Sequence, residues 1–123
     1  MSTRYTKDHE WVRLEGALAT IGISVYAAEQ LGDVVYVELP AKGKDFAAGA
    51  EMAVVESAKA ASDVYAPIAG TVLEVNAALA TQPDLINQGA EGDGWFVKLK
   101  PADPAAIEAL MDQAAYAQYL KGL

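Results

Sequence analysis

The sequence predicts a mainly β fold, a sandwich of two sheets followed by a helix at the C-terminal end. Short segments rich in β-branched and aromatic residues recur between turns that contain glycine or proline. One pattern occurs twice, at residues 32–38 and 70–76, and each copy opens on glycine with valines at matching places. Of the 123 residues, 53% are apolar, enough for one hydrophobic core. We therefore expect a single domain over residues 1–123.

The predicted strands end at residues that favour turns. The first two form a hairpin around Glu15 and Gly16, where glycine can supply the positive φ of a tight turn. The third strand stops at Pro40 and is followed by a polar loop at residues 41–45. The predicted segments are 10–14, 18–23, 34–39, 52–56, 62–66, 70–76 and 95–100.

Two helices are predicted. Ser24 can cap a short helix that runs through Gln30, and Gly32 can end it in the left-handed conformation. Near the C terminus, Pro104 suits the start of a helix. Apolar residues then recur at a spacing of three and four, which predicts an amphipathic helix that can restart at Asp112. These residues are Ile107, Leu110, Met111 and Ala114, and the apolar face continues with Tyr116, Tyr119 and Leu120.

Charge and composition exclude several functions. With 9 Lys and Arg against 17 Asp and Glu, the net charge is -8, so nucleic acid is not an expected partner. Cysteine is absent and His9 is the only histidine, so we expect no disulfide and no metal site. The longest uncharged stretch, residues 16–28, is too short to span a bilayer, and no leader peptide is evident. We therefore expect a cytoplasmic protein without membrane contact.

The sequence also lacks the enzyme motifs that we looked for. Lys44 is followed by Asp45 rather than Ser or Thr, so the phosphate-binding P-loop is absent. The glycines of residues 89–94 precede a strand rather than a helix, unlike a dinucleotide fingerprint. Carboxylates are numerous, but nothing in the sequence pairs two of them for acid–base catalysis. We assign no catalytic residue.

Lys59 lies in the most informative segment, near the tip of the hairpin predicted from residues 52–56 and 62–66. A lysine at a hairpin tip is ordinarily a solubility residue. Here the small side chains of Ala58 and Ala60 leave its ammonium group open to a modifying enzyme. Such a lysine can carry a cofactor through an amide bond, which removes the charge.

The segment 55–67, Val-Glu-Ser-Ala-Lys-Ala-Ala-Ser-Asp-Val-Tyr-Ala-Pro, resembles the lipoyl-lysine segment of the glycine cleavage H proteins. The resemblance extends over nearly the whole chain, in order and without large gaps. Two places depart from the family pattern. Val25 stands where the family commonly has aspartate, and residues 88–90 replace a segment that often contains Pro-Tyr. The other similar blocks are residues 5–12, 22–27, 30–40, 70–76, 85–87 and 94–95.

This resemblance implies a lipoyl/biotinyl-type β sandwich, a barrel-sandwich hybrid, with an N-terminal hairpin and a C-terminal helix. It implies lipoic acid on Lys59, attached by a lipoate ligase or lipoyl transferase. The arm would take the aminomethyl group of glycine from the pyridoxal-phosphate glycine decarboxylase (P protein) and pass it to the tetrahydrofolate-dependent aminomethyltransferase (T protein). Dihydrolipoamide dehydrogenase (L protein) would then reoxidise it. The protein would be a monomeric, non-catalytic carrier in glycine catabolism and one-carbon metabolism.

The resemblance also implies a cleft on the protein's own surface that shelters the loaded arm. Glu10 and Asp63 would meet the protonated amine there. Charge-assisted hydrogen bonds would keep the lone pair of the amine from expelling the thiolate. The alternative is that both acids are ordinary solvated surface groups.

Other functions stay open at this stage. A biotin carrier also places its cofactor on a hairpin lysine, but methionines typically flank that lysine, whereas Ala58 and Ala60 flank Lys59. A protein that relays lipoate to other complexes would look much the same in sequence. An interaction module without a cofactor would leave the Lys59 segment unexplained. Trp11 and Trp95 belong either to the core, which we favour, or to a surface for partners.

Overall fold

Nine strands form two antiparallel sheets in the computed structural model, which describes residues 3–123. The strands are β1 (Thr3–Tyr5), β2 (Glu10–Glu15), β3 (Leu18–Ile23), β4 (Val34–Glu38), β5 (Asp45–Phe46), β6 (Glu51–Ser57), β7 (Ala61–Tyr65), β8 (Gly70–Val75) and β9 (Val97–Pro101). One sheet has six strands in the order β1-β2-β3-β9-β8-β5, and the other has three in the order β4-β6-β7. The predicted β sandwich is confirmed.

The repeated glycine-led pattern corresponds to β4 and β8, which lie in different sheets, as expected for two similar halves that face each other. The hairpin around Gly16 is also confirmed, and this glycine has a φ of 63°. The sequence missed β1 and β5, because strands of three and two residues are too short to show alternation. The last strand begins at Val97 rather than at residue 95.

Four α-helices and one 3-10 helix complete the part of the chain that the structure describes. The predicted cap of the first helix is confirmed, because Ser24 Oγ accepts a hydrogen bond from Ala27 N at 3.2 Å. Gly32 ends this helix, but with φ 75° and ψ -151° rather than in the left-handed helical conformation, so that detail was wrong. The helices are α1 (Val25–Leu31), α2 (Ala78–Thr81), α3 (Leu85–Gly89), the 3-10 helix Pro104–Ala109 and α4 (Gln113–Lys121).

The predicted C-terminal helix is divided into two pieces. The 3-10 helix ends before Met111, whose backbone exchanges hydrogen bonds of 2.8 and 3.1 Å with Tyr5 of β1. Pairing with a strand prevents Met111 from continuing the helix. Asp112 then caps α4 by accepting a hydrogen bond from Ala115 N at 2.8 Å, so the predicted restart is confirmed. Among residues 3–123, no helix is long and apolar enough to cross a membrane.

Buried side chains form two clusters. The larger one fills the space between the two sheets. The smaller one lies between the N-terminal strands and α4, and its buried members are Tyr5, Trp11 and Tyr116. Trp11 is therefore a core residue, as we favoured from the sequence. Trp95 is only partly buried, and the Lys98 ammonium lies over its ring, 5.0 Å from the centroid.

Gly22 permits the burial of Trp11. The two residues are cross-strand partners, and the Trp11 indole donates a hydrogen bond to Ala90 O at 2.8 Å. A Cβ placed on Gly22 would lie 2.8 Å from Trp11 Nε1, too close for any real contact. The indole therefore occupies the space that a side chain at position 22 would need.

Gly22→Ala should lower the free energy of unfolding by about 1–3 kcal/mol, because the extra methyl group must displace the indole from its hydrogen bond. Urea unfolding measures this effect. The matched control is Gly89→Ala, where a Cβ meets nothing within 4 Å and the residue is helical. Equal stability of the two variants would show that Trp11 adjusts without penalty.

Candidate functional site

Lys59 lies at the exposed tip of the β6–β7 hairpin, as predicted. Glu56 and Ala61 are the last paired residues, and the turn between them has negative φ throughout. Ser57 shapes this turn: its Oγ accepts hydrogen bonds from the backbone N–H groups of Lys59 and Ala60 at 3.3 and 3.1 Å. These side-chain bonds replace the glycine that tight hairpin turns often require.

The turn of the hairpin rests on the segment between α1 and β4. Ala58 N donates a hydrogen bond to Asp33 O at 3.1 Å. Asn87 of α3 holds the same segment from the other side, since its Nδ2 donates to Gly32 O at 2.7 Å and its Oδ1 accepts from Val34 N at 2.8 Å. The turn that presents the lysine is thus bonded to the segment after α1, and α3 holds that segment in place. Asn87 belongs to the similar block 85–87, but the sequence of that block does not indicate this role.

The Lys59 side chain extends over the end of α1. A Cβ placed on Gly32 would lie 3.5 Å from Lys59 Cε and 4.0 Å from Nζ. Glycine at this position leaves room for the side chain, and its positive φ ends the helix beneath it. Gly32 directly follows Leu31, the last residue of α1, which lines the neighbouring cleft.

This cleft has a volume of about 190 Å³ and lies between α1 and the hairpin. A cavity of about 150 Å³ is known to hold benzene, so the cleft has room for a small ligand or for the end of a flexible arm. Apolar and acidic groups share its walls. They include Asp8, Glu10, Ile23, Leu31, Val55 and Asp63.

Glu10 lies in this cleft but is only 2% exposed, so the idea that it is a solvated surface group was wrong. Its Oε1 accepts a hydrogen bond from Thr6 Oγ1 at 2.7 Å, and its Oε2 accepts one from Tyr65 N at 3.2 Å. Burial raises the pKa of this carboxyl group, and the two hydrogen bonds act in the opposite direction by stabilising the charged form. A cation that enters the cleft would find a fixed carboxylate.

Asp63 also lines the cleft, but it is exposed. It pairs with Val54 across the hairpin and lies two residues from Tyr65, whose phenol pKa is raised mainly by the Asp63 charge. The fold therefore brings the two predicted acids to one cleft in different environments, Glu10 in the wall and Asp63 exposed.

His9 is a cleft residue to which the sequence analysis assigned no role. Its ring lies 4.8 Å from the ring of Tyr26, which also lines the cleft, and its Nδ1 lies 2.8 Å from the hydroxyl of Tyr116 in α4. Burial lowers the pKa of His9, against the opposing effect of the nearby Asp8 charge. The link to Tyr116 spans 107 positions and has no local sequence signal.

The start of α1 shows how the chain accommodates its departure from the family pattern at Val25. Glu91 Oε2 accepts a hydrogen bond from Val25 N at 3.0 Å, and Oε1 accepts one from the Tyr5 hydroxyl at 2.6 Å. A carboxylate is thus present at the first turn of α1, where it interacts favourably with the helix dipole. It comes from the loop before β9 instead of from the helix itself.

Comparison with known proteins agrees with this geometry. The family model described as Glycine cleavage H-protein matches residues 3–123. The chain belongs to the glycine cleavage H-protein family. It is 58% identical over 120 residues to the glycine cleavage system H protein of Parvibaculum lavamentivorans, covering 98% of this chain and 96% of that protein. It is 59% identical over 113 residues to the H protein of Phenylobacterium zucineum, covering 92% and 93%.

A solved structure is also similar. The crystal structure of a glycine cleavage system H protein from Mycobacterium marinum superposes with a TM-score of 0.88 at 37% identity, covering 99% of this chain and 98% of that one. The two-sheet sandwich with a C-terminal helix is therefore the fold of this family. Members of the family are the lipoyl carriers of glycine cleavage, the assignment that the Lys59 segment indicated.

Glu10→Gln should change how stability depends on pH. Because the folded-state pKa of Glu10 is raised, the folded protein binds the proton more tightly, and wild-type stability falls as pH rises through that pKa. The unfolding free energy of wild type relative to Glu10→Gln should therefore fall with rising pH, by up to about 1.4 kcal/mol per pH unit within the window.

Chemical denaturation at a series of pH values measures this difference. Gln30→Asn is the control, because Gln30 lines the same cleft and does not ionise. The difference in unfolding free energy between Gln30→Asn and wild type should stay constant with pH. A constant difference for Glu10→Gln as well would contradict the raised pKa.

Proposed function

We propose that this chain carries lipoate on Lys59 and transports the aminomethyl group of glycine between the enzymes of glycine cleavage. The observation that supports this most directly is the position of Lys59, exposed at the tip of a well-anchored hairpin whose strand β7 borders a cleft with a buried carboxylate. A lysine that serves only solubility needs neither the anchored turn nor the cleft.

The residues around Lys59 fit an amide-linked lipoyl group. Ala58, Ala60 and Ala61 surround the lysine with small exposed side chains, so an attaching enzyme can reach its Nζ. The apolar wall contributed by Leu31 and Val55 suits the hydrocarbon part of the arm. When bound, lipoate supplies the dithiol that accepts and releases the cargo.

Within the cleft, the chain's own part is to hold a cation and keep water away. The Glu10 carboxylate is fixed by Thr6 and by Tyr65 N, so it can accept a hydrogen bond from the cargo ammonium with little reorganisation. Asp63 adds a second negative charge that water can still reach. Keeping the amine protonated prevents its lone pair from driving loss of the cargo.

The other parts of the proposal concern partners and surroundings. The chain acts as a non-catalytic, monomeric carrier in the cytoplasm, and glycine decarboxylase, aminomethyltransferase and dihydrolipoamide dehydrogenase perform the reactions. A lipoate ligase or lipoyl transferase attaches the group. The net charge of -8 supports docking to basic surfaces, since complementary charge speeds encounter.

Lys59 should be the lysine that gains lipoate when the protein is produced in cells with a working ligase and supplied lipoate. Intact and peptide mass spectrometry locates the group. Lys59→Arg should fold normally and remain unmodified, because a guanidinium group is not acylated in this way. Lys42→Arg, in an exposed loop, should be modified as wild type is. A lipoyl group on another lysine with Lys59 unmodified would overturn the proposal.

Glu10→Gln and Asp63→Asn should leave lipoylation intact and shorten the lifetime of the bound cargo. A hydrogen bond to a charged group contributes about 1.5–3 kcal/mol, so release of ammonia and formaldehyde from loaded Glu10→Gln should be about tenfold faster or more. The exposed Asp63 should have a smaller effect.

Glu29→Gln is the matched control for this release assay. Glu29 is an acid on α1, but it belongs to the hollow between α1 and α4 rather than to the cleft. Its removal should leave the release rate unchanged. If Glu10→Gln released its cargo as slowly as Glu29→Gln does, Glu10 would have no protective role.

A further inference from the structure

The C-terminal helix reaches the cleft through one hydroxyl group. Tyr116 of α4 is 5% exposed, and its hydroxyl lies 2.8 Å from His9 Nδ1 and 2.7 Å from Ser24 Oγ. His9 lines the cleft, and Ser24 caps α1, which forms one wall of it. The three side chains come from the turn before β2, the start of α1 and the middle of α4.

The hydrogen bonds through this group can all run in one direction. Ala27 N–H donates to Ser24 Oγ at 3.2 Å. If Ser24 donates to the Tyr116 oxygen and Tyr116 donates to His9 Nδ1, each of the three protons has one acceptor. That arrangement requires a neutral imidazole with its proton on Nε2.

A proton on His9 Nδ1 would reverse the chain. His9 would then donate to Tyr116, and Tyr116 would donate to Ser24. The Ser24 hydroxyl proton would lose its acceptor, because within residues 3–123 the hydrogen-bond partners of Ser24 Oγ are only the Tyr116 hydroxyl and Ala27 N. Ser24 is fully buried, so leaving that proton unbonded is unfavourable.

The backbone also holds the ring in place. His9 has a φ of 69°, the only positive φ of a non-glycine residue among those that the structure describes. Strain of this kind persists where the surroundings over-determine a conformation. Here His9 O accepts a hydrogen bond from Ser24 N at 2.8 Å, and the ring packs against aromatic groups of α1 and α4.

The geometry points to Tyr116 as a positioning residue that keeps the His9 imidazole neutral in the wall of the cleft. The consequence for transport rests on the proposed function: a neutral ring leaves the cleft negatively charged and suited to a cationic cargo, whereas an imidazolium would repel it. The ionisable groups that face or adjoin His9 are Asp8, Glu10, Asp63, Tyr26, Tyr116 and Tyr119.

Tyr116→Phe tests this inference in the unlipoylated protein. Phenylalanine retains the ring, which stacks on Tyr5 at 4.2 Å, so the variant should fold. Removing the donor to neutral Nδ1 should raise the pKa of His9 by about half to one pH unit, measured by NMR titration of this single histidine. Tyr119→Phe is the control, because among residues 3–123 its hydroxyl bonds only to Lys7 O, at 3.4 Å, and its loss should leave the titration unchanged.

An unchanged His9 titration in Tyr116→Phe, or an equal shift in Tyr119→Phe, would overturn the inference. His9→Asn provides a second check, since asparagine tolerates positive φ and its Oδ1 can accept from Tyr116 without titrating. It should retain wild-type stability near neutral pH. A large loss of stability in His9→Asn would show that the imidazole serves packing rather than as the acceptor for Tyr116.

The loaded protein gives a second readout. Tyr116→Phe should release its cargo faster than wild type at mildly acidic pH, where the higher His9 pKa of the variant leaves more of the imidazole protonated, and at the same rate at mildly alkaline pH, where the ring is neutral in both proteins. Equal acceleration at both pH values would assign Tyr116 a purely structural role and overturn the inference. Because the NMR titration needs no lipoate, its failure would refute only this inference, whereas an unmodified Lys59 would refute the proposed function alone.

Discussion

The buried carboxylate of Glu10 connects the two sheets, and the cleft depends on that connection. Glu10 begins β2 in the six-stranded sheet, and it accepts a hydrogen bond from Tyr65 N in β7 of the three-stranded sheet. A carboxylate with 2% exposure is stable only when its oxygens are bonded. The turn from Thr6 and the strand β7 must therefore keep their positions relative to β2. The hydrogen bonds that stabilise the buried charge thus also fix the position of Glu10 in the wall of the cleft.

The start of α1 is the second constraint. This helix has seven residues, too few for helix propensity alone to hold it, so its position depends on contacts with the rest of the chain. Ser24 caps its first turn, and Glu91 bonds to Val25 N. Tyr5 and Tyr116 then join these groups to β1 and α4. The helix that lines the cleft is thus positioned by residues from both ends of the chain.

The hairpin and the cleft have different roles in a carrier: the hairpin presents Lys59, and the cleft lies next to it. Ser57 holds the turn of the hairpin internally, Asp33 O accepts a hydrogen bond from Ala58 N, and Asn87 holds the segment that contains Asp33. Lys59 itself is exposed at the tip. Because the turn is fixed, an arm attached to the exposed Lys59 side chain would move only within the volume around this turn. The cleft lies beside the same hairpin, and under the proposed function it would receive the group carried on the arm.

Local sequence features predicted much of this protein. Strand alternation, the caps at Ser24 and Asp112 and the position of Lys59 at a hairpin tip depend on residues a few positions apart, and the structure has them as expected. The environment of Glu10 was not predictable. Its partner Tyr65 is 55 positions away, and only the packing of two sheets brings that N–H to the carboxylate.

The same distinction explains the other differences. The C-terminal periodicity suggested one helix, but Met111 pairs with Tyr5, and only the folded chain places β1 beside it. His9 and Tyr116 are 107 positions apart, and neither residue carries a local signal of the other. The sequence by itself determined the longer strands, the caps at Ser24 and Asp112 and the presented lysine, because short-range backbone geometry controls them. The tertiary structure decided which acid is buried and which aromatic groups meet, because burial and long-range hydrogen bonds exist only once distant segments have packed.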